Sequence, residues 1–354
     1  MPPRWRASQL ALTACAAVML LNLGAPKTLL DLCDFVAATS YKHYGRDVEC
    51  FDCFAGKGAV GSAFRLNGCK TVSQDLEMGP AHDLASTPGF LRAILNVLRC
   101  VPDGVLVMGP PCGSFVFMNL GTSRRSEHRP YGDESLPHVE MGSLLCSRAL
   151  LLLLLATVRG VYTVLEQPGT STMRYYPDLK AVAAAIQKHL GGKSWLTQYM
   201  WMGAWGAPTL KPTRVWGTPP WICNLYAKPS KSLRKKLLAN SKRLKITFKK
   251  TKNGQTSVCG GPGLAATAAY PDGFGRRVFE LYQMNKDHNG LQLLAKIKVA
   301  FALVQAKKTK CAKWKGAWRK ANVAVLKRFV TKAAEKGLFQ PIGPVNDREP
   351  YTYG

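Results

Sequence analysis

Between residues 29 and 202, short apolar segments alternate with segments whose apolar residues recur at helical spacing. The predicted strands are 48–51, 70–73, 104–108, 161–165 and 198–202, and the predicted helices are 29–44, 60–66, 90–99, 140–158 and 179–190. Such alternation predicts β-α-β units and a mostly parallel sheet. Because the strands consist of consecutive apolar residues, we expect burial on both faces and helices on each side of the sheet. The sequence therefore predicts an α/β fold.

Four of the predicted strands lead directly into motifs rich in glycine, proline or carboxylates. These strands end near Phe51, Ser73, Met108 and Leu165. In an open parallel sheet, ligands bind at the carboxyl ends of the strands. We therefore expect the four motifs to meet at one edge of the sheet and to form one site.

The first motif, from Gly56 to Gly61, matches G-x-G-x-x-G between a strand and a helix. Glycines there let backbone amides and the helix N-terminus approach a nucleotide-like ligand. Asp75 ends the next predicted strand and can accept hydrogen bonds from a ribose. Together they indicate a nucleotide-type cofactor, either NAD(P) or S-adenosylmethionine. The alternative is that the glycines only form turns and that Asp75 caps a helix.

The third strand runs into Gly109-Pro110-Pro111-Cys112. Two prolines build a rigid turn that projects the next side chain into the cleft. A cysteine in that place is a candidate nucleophile, because a thiolate is intrinsically reactive. The alternative is a tight turn followed by a buried structural cysteine.

Glu166 ends the fourth strand and is expected to point into the same cleft as Cys112. Burial raises the pKa of a carboxylic acid, so Glu166 can donate a hydrogen bond to a ring nitrogen. Arg214 follows later in the chain, and its planar guanidinium suits a base carbonyl or a phosphate. The alternatives are a capping or salt-bridged glutamate and an ordinary surface arginine.

Positive charge is concentrated in the second part of the chain. The 354 residues carry 49 Lys and Arg against 21 Asp and Glu, a net charge of +28, of which residues 228–354 contribute +22. Such an excess favours a polyanionic partner, with nucleic acid first and an anionic membrane surface second. The alternative is a basic, solvated tail without a specific partner. This region is predicted to be mainly helical, most clearly over 291–336, where lysines accompany helical spacing.

The 11 cysteines are scattered, and Cys50 and Cys53 form the only C-x-x-C pair. This predicts free thiols in a reducing compartment and no metal site. Residues 1–25 resemble a signal peptide, with Arg4 and Arg6 before an apolar stretch, although a buried helix is the alternative. We expect a nuclear or cytoplasmic protein, or a secretory or organellar one if this segment is a targeting signal.

No membrane span is expected, because Leu150 to Leu155 is too short to cross a bilayer and is interpreted as part of a buried helix. The chain is predicted to consist of an N-terminal apolar segment and helix, a cofactor-binding domain, and a basic region. Their predicted bounds are 1–45, 46–218 and 219–354.

Taken in order, the motifs resemble those of the cytosine-C5 methyltransferase family. They are Asp52-Cys53-Phe54-Ala55-Gly56-Lys57-Gly58, Asp75, Gly109-Pro110-Pro111-Cys112-Gly113-Ser114, Glu166-Gln167-Pro168 and Thr213-Arg214-Val215. The resemblance covers residues 48–218, and the P-P-C after the third strand is its most specific match. It implies a Rossmann-like methyltransferase sheet that binds S-adenosylmethionine.

The resemblance also implies covalent chemistry on a cytosine flipped out of DNA, with RNA as the alternative substrate. Cys112 would attack C6 of the base, Glu166 would bond to and protonate N3, and Arg214 would help to hold the base. The implied cofactor contacts are Phe54, Gly56, Gly58, Asp75, Asp83 and Pro110.

The chain departs from the family pattern at three points. Glu166-Gln167-Pro168 replaces E-N-V, and Arg214 is the single arginine where Q-x-R-x-R has two. The segment from Tyr270 to Phe274 is only a faint match to a late motif that returns to the sheet. DNA cytosine-C5 methylation is the expected function. The alternatives are a catalytically weak nucleic-acid-binding relative, an RNA methyltransferase on the same fold, and an NAD(P) enzyme.

Overall fold

The computed structural model describes residues 14–39, 46–192, 194–244, 247–252, 255–260, 263 and 267–287. Within them, a six-stranded sheet has the order β2-β1-β3-β4-β6-β5. The strands are β1 (Val48–Cys53), β2 (Thr71–Gln74), β3 (Cys100–Met108), β4 (Tyr162–Pro168), β5 (Leu196–Trp201) and β6 (Pro212–Gly217). β2, β1, β3 and β4 are parallel, whereas β6 is antiparallel to both β4 and β5. The predicted α/β fold with a mostly parallel sheet is confirmed.

Helices connect and cover these strands. They are α1 (Ala14–Asn22), α2 (Lys27–Thr39), α3 (Ala59–Leu66), α4 (Thr87–Arg99), α5 (Leu120–Ser123), α6 (Pro137–Val158), α7 (Pro177–Leu190), α8 (Lys231–Leu244) and α9 (272–287). Short 3-10 helices lie at Leu76–Met78, Pro80–His82, Phe117–Asn119, Thr172–Tyr175, Met202–Trp205 and Ile222–Leu225. A separate hairpin consists of β7 (Thr247–Lys252) and β8 (Gln255–Gly260).

One face of the sheet is covered by helices that the sequence pattern predicts. The core there joins residues of α1, α2, α4, α6 and α7 to the strands, and Leu20 and Leu23 of the N-terminal apolar stretch are buried in it. α6 is long and apolar enough to cross a bilayer by length and composition, but 67% of its most apolar 18-residue window is buried. Since Leu150 and Leu152 to Leu155 are all buried, the prediction of a core helix is confirmed.

The opposite face is covered by α3 and by α9, which comes from the far end of the described chain. Phe64 of α3 contacts Phe279 and Tyr282 of α9, with ring centroids 5.2 and 5.1 Å apart. Phe274 and Val278 are fully buried in the same core. The segment after Tyr270, a faint motif in the sequence, therefore does return to the sheet.

The structure contains a strand, β6, that the pattern does not predict, and it changes the bounds of a predicted helix. β6 is not predicted as a strand, because Pro212 lacks an amide hydrogen and interrupts the strand pattern; it is tolerated as the first residue of the strand. The predicted helix 29–44 begins at Lys27, and its last described residue is Thr39. The predicted helical region 291–336 and the first 13 residues lie outside the described residues.

The chain divides into two compact units, residues 1–283 and 284–354. The first unit contains the sheet together with α8, the β7–β8 hairpin and α9 up to Gln283. Residues 219–283, predicted as part of the basic C-terminal region, thus belong to the same unit as the sheet.

The contact of α9 with α3 depends on Gly275. A Cβ atom at this position would collide with the carbonyl oxygen of Ala59 at the start of α3. We expect Gly275→Ala to lower the free energy of unfolding by about 1–3 kcal/mol, because backbone must shift to make room. Gly121→Ala is the matched control, since open space surrounds Gly121; its effect should stay within about 0.5 kcal/mol. Equal denaturation midpoints for the two variants would contradict this packing.

Candidate active site

Cys112 lies immediately beyond the carboxyl end of β3, on a turn that is fastened to β4. Its carbonyl oxygen accepts hydrogen bonds from the amides of Phe115 and Val116, at 2.8 and 3.0 Å. The Gln167 side chain donates to the carbonyl oxygen of buried Pro110 at 2.6 Å. These bonds hold the half-buried Cys112 at the edge of the sheet where the ligand of such a fold binds.

Glu166 is the buried carboxylate of this edge, with 6% of its surface exposed. Its Oε2 atom accepts a hydrogen bond from the Tyr270 hydroxyl at 3.1 Å. Its Oε1 atom is buried and has no hydrogen-bond partner among the described residues. Burial raises the pKa of Glu166, opposed by the charge of Lys211 and the Tyr270 hydrogen bond. An acceptor left unpaired in this way is costly, so it marks a place for a ligand group.

Glu166 and Lys211 act on Cys112 in opposite directions. Burial, and secondly the Glu166 charge, raise the pKa of Cys112 to about 11, while Lys211 lowers it. Cys112 is therefore a neutral thiol at pH 7 in this state. Losing its proton requires either a shift of this charge balance or a base.

Lys211 immediately precedes β6 and brings an ammonium group to the site. Its Nζ donates to the carbonyl oxygens of Ala268 and Ala269 at 2.5 and 3.2 Å. The ammonium lies 5.4 Å from the centre of the Tyr270 ring. Neither Lys211 nor Tyr270 is among the residues predicted for the site. Lys211 stands beside the arginine motif and Tyr270 begins the faint late motif, and these are the signals that could have found them.

Arg214 is placed differently from the other predicted residues. It is the register partner of Gln167, which follows Glu166 in β4. Neighbouring residues of a strand point to opposite faces, so Arg214 lies on the other face from Glu166. Its guanidinium is 6.0 Å from the ring centre of Tyr199, and its Nε has no partner among the described residues. The structure thus brings Lys211, rather than Arg214, to Cys112 and Glu166.

The glycine loop after β1 has the backbone that its sequence predicts. Phe54, Gly56 and Gly58 all have positive φ angles, of 58°, 50° and 70°. The Gly56 amide donates to Oδ2 of Asp75 at 2.9 Å, and the position of its absent side chain faces open space. Asp75 also caps the helix Leu76–Met78 by accepting from the Glu77 amide at 3.0 Å. Asp75 therefore has the helix-capping role named above as the alternative. The glycine loop in front of Asp75 is exposed.

Asp52 lies beneath this loop and is fully buried. Its Oδ2 accepts from the Gly61 amide at 2.8 Å, while Oδ1 has no partner among the described residues. Burial raises the pKa of Asp52 to about 7, against the effects of this hydrogen bond and of Arg65. Asp83, the remaining predicted contact, is half-buried after Pro80–His82 and accepts from the Ala85 amide at 2.8 Å.

The strand order places these motifs side by side, because β2, β1, β3 and β4 are neighbours whose carboxyl ends share one edge. No group of three or more His, Cys, Asp and Glu side chains that could hold a metal occurs in the described part of the chain. The cysteines whose side chains are described are all free thiols. Comparison with protein-family models, curated proteins and solved structures finds no match.

The charge balance at Cys112 can be tested with Glu166→Gln. Removing this carboxylate lowers the pKa of Cys112, so alkylation at pH 8 should become about three to ten times faster. The rate is measured with iodoacetamide on the Cys112 peptide by mass spectrometry. Glu140→Gln, at an exposed position on α6, is the control and should leave the rate unchanged. A slower or unchanged rate in Glu166→Gln would show that the two groups are not coupled.

Proposed function

We propose that this chain is an S-adenosylmethionine-dependent methyltransferase that methylates C5 of cytosine in DNA through a covalent Cys112 adduct. The observation that carries the proposal is the meeting of Cys112 and Glu166 at one sheet edge, where the Glu166 charge acts on the thiol and one Glu166 oxygen has no partner among the described residues. A nucleophile beside a carboxylic acid of raised pKa is what addition to a pyrimidine ring requires.

The topology supports a methyltransferase over a dinucleotide-binding enzyme. The reversed strand β6 lies between β4 and β5, so this end of the sheet is mixed rather than parallel. The strands of the dinucleotide-binding Rossmann fold follow another order. This difference disfavours the NAD(P) alternative.

The glycine loop fits a nucleotide-type cofactor. Gly56 faces open space and has a left-handed backbone, and below it Asp52 offers a buried oxygen that no residue in the described ranges pairs with. When bound, S-adenosylmethionine supplies an electrophilic methyl group. The residues that would hold it are Phe54, Gly56, Gly58, Asp75, Asp83 and Pro110. Gln167 fixes Pro110 through the carbonyl oxygen, and so sets the distance between the cofactor side of the turn and Cys112.

The chemistry follows from the arrangement of three side chains. The Cys112 sulfur, once deprotonated, forms a bond to C6 of the base while protonated Glu166 donates to N3. This addition moves an electron pair to C5, which would accept the methyl group while the sulfonium sulfur of the cofactor keeps the electrons of the broken bond and leaves as a neutral thioether. Water or hydroxide would then take the C5 proton, the electrons of that bond would form the C5–C6 double bond again, the sulfur would leave C6 as a thiolate, and N3 would return its proton to Glu166. Lys211 favours the anionic form of Cys112 at the first and last steps.

A basic surface for phosphate contacts is present on α8. Lys231, Arg234, Lys235 and Lys242 line a shallow groove together with Leu238 and Ala239. α8 has no acidic residue, and Leu237 anchors it in the core. Lysine and arginine side chains on one exposed face suit the phosphate backbone of a nucleic acid.

Two observations favour the second candidate, a catalytically weak nucleic-acid-binding protein. The pKa of about 11 at Cys112 leaves little thiolate at neutral pH, and Arg214 does not reach the pair. Such a protein would retain the basic α8 surface and bind nucleic acid without efficient chemistry.

Covalent trapping separates the two candidates. With S-adenosylmethionine and duplex DNA containing 5-fluorocytosine, the protein should form a denaturation-resistant complex, because fluorine cannot leave as the C5 proton does. Cys112→Ala should form none, and Cys223→Ala, at an exposed free cysteine, should trap like the unmodified chain. Equal trapping by Cys112→Ala would exclude the covalent mechanism. Trapping only on 5-fluorocytosine RNA would assign the enzyme to RNA.

The contribution of α8 is tested by salt dependence. Replacing Lys231, Lys235 and Lys242 with glutamine should reduce the slope of log affinity against log salt by about 0.9 for each duplex DNA phosphate that the protein no longer neutralises. Affinity is measured by fluorescence anisotropy between low and physiological salt. Lys180→Gln on α7 is the control. An unchanged slope in the triple variant would place the phosphate-binding residues elsewhere.

A further inference from the structure

Lys211 has a backbone conformation that is unfavourable for a lysine followed by a proline. Its φ angle is +37°, in the left-handed region, and the following Pro212 further restricts its backbone. Such strain costs about 1–3 kcal/mol and persists only where the surroundings impose it. Here the carbonyl oxygen of Lys211 accepts from the Met202 amide at 3.1 Å and from the Thr213 hydroxyl at 3.0 Å. The conformation directs this one lysine toward the edge of the sheet.

The ammonium group of Lys211 fastens a distant part of the chain to that edge. Two of its three donors are used by the carbonyl oxygens of Ala268 and Ala269. Tyr270 follows directly, with its ring near the ammonium and its hydroxyl on Oε2 of Glu166. A Cβ at residue 109 would collide with the Tyr270 hydroxyl, so Gly109 provides the space that this ring needs.

The result is a carboxylate whose two oxygens are inequivalent. Oε2 is held by Tyr270, whereas Oε1 is buried without a partner among the described residues. The hydrogen bond to Oε2 limits rotation of the carboxyl group and so keeps Oε1 in one direction. The charged groups that act on Cys112 are Glu166 from β4 and Lys211 before β6, and Cys112 in turn contributes to the raised pKa of Tyr270, which precedes α9.

We propose that Lys211 and Tyr270 are positioning residues of this site: Lys211 holds the segment 268–270 in place and supplies the cation beside Cys112, and Tyr270 orients Glu166. The catalytic consequence of this inference rests on the proposed function. The effect of the Lys211 charge on the pKa of Cys112 can be measured whether or not the proposed function is correct. Residues 268–270, from outside the region of motif resemblance, are thereby part of the active site.

The effect of the Lys211 charge on the pKa of Cys112 is measured by alkylation of Cys112 in the full chain. Lys211→Met removes the nearby positive charge, so the pH profile of Cys112 alkylation by iodoacetamide should move to higher pH. At pH 9 its rate should fall about three- to tenfold. Lys211→Arg should restore most of the rate. Lys180→Met is the matched control, since exposed Lys180 also lies near a tyrosine ring, at 5.7 Å from that of Tyr175, and its charge is not among those that shift the pKa of Cys112.

Circular dichroism separates a charge effect from a loss of fold. If Lys211→Met does not fold, Lys211→Gln replaces it, because glutamine keeps a hydrogen-bond donor and removes the charge. A pH profile of a folded, uncharged variant that coincides with those of the unmodified chain and Lys180→Met would overturn the proposal. This measurement does not depend on methyl transfer. The role of Lys211 can therefore be wrong while the proposed function is correct, and the proposed function can be wrong while the role of Lys211 is correct.

The proposed orientation of Glu166 by Tyr270 is tested by the rate of methyl transfer. Tyr270→Phe removes one hydroxyl and should lower kcat about 10- to 100-fold while the dissociation constant for S-adenosylmethionine, from calorimetry, stays within about twofold. A merely structural role would change both. An unchanged kcat in Tyr270→Phe, in a preparation where the unmodified chain is active, would contradict the orienting role of Tyr270.

Discussion

The hydrogen bond between Tyr270 and Glu166 is the interaction on which the candidate site depends. It joins residues 104 positions apart and brings the end of the described chain to the carboxyl edge of β4. The tyrosine ring has room because residue 109 is glycine. The Lys211 ammonium holds the chain just before Tyr270, and α9, which follows Tyr270, packs on α3. Without the Tyr270 hydrogen bond, neither oxygen of the buried Glu166 carboxylate would have a partner in the described part of the chain, and such a group is costly in a protein interior.

Around this bond, three groups of different charge occupy a small, largely dehydrated space. The glutamate opposes ionisation of the thiol, the lysine favours it, and the glutamate itself is held partly toward its neutral form by burial. The protonation of the thiol and of the carboxyl group is therefore set by the same few charges, so a change in one group affects the other. A ligand group that excluded water and paired with the second Glu166 oxygen would change this balance further.

Much of this arrangement is predictable from the sequence. The parallel sheet follows from consecutive apolar residues in strands such as Val105 to Met108, and the convergence of Cys112 and Glu166 follows from the shared edge of parallel strands. The glycine loop is likewise readable, because Gly56 and Gly58 need backbone angles that other residues avoid.

The other features of the site depend on contacts between residues that are far apart in the sequence. The face on which Arg214 lies is fixed by the register of β6, where a shift of one residue would reverse it. Tyr270 follows a region in which hydrophobic periodicity fails, so only tertiary packing shows that it reaches Glu166. Lys211 is directed to the site by a left-handed backbone that no propensity for lysine before proline predicts.

The late position of Tyr270 has a consequence for synthesis on the ribosome. A nascent chain that has emerged only as far as β6 contains every strand of the main sheet, as well as Cys112 and Glu166, but lacks the tyrosine and the helix that holds it. Contacts of such long sequence separation form after local ones, since closing long loops is entropically slow. We therefore expect the site to assemble late in the folding of this unit, and incomplete chains carry the thiol without the hydroxyl that bonds to Glu166.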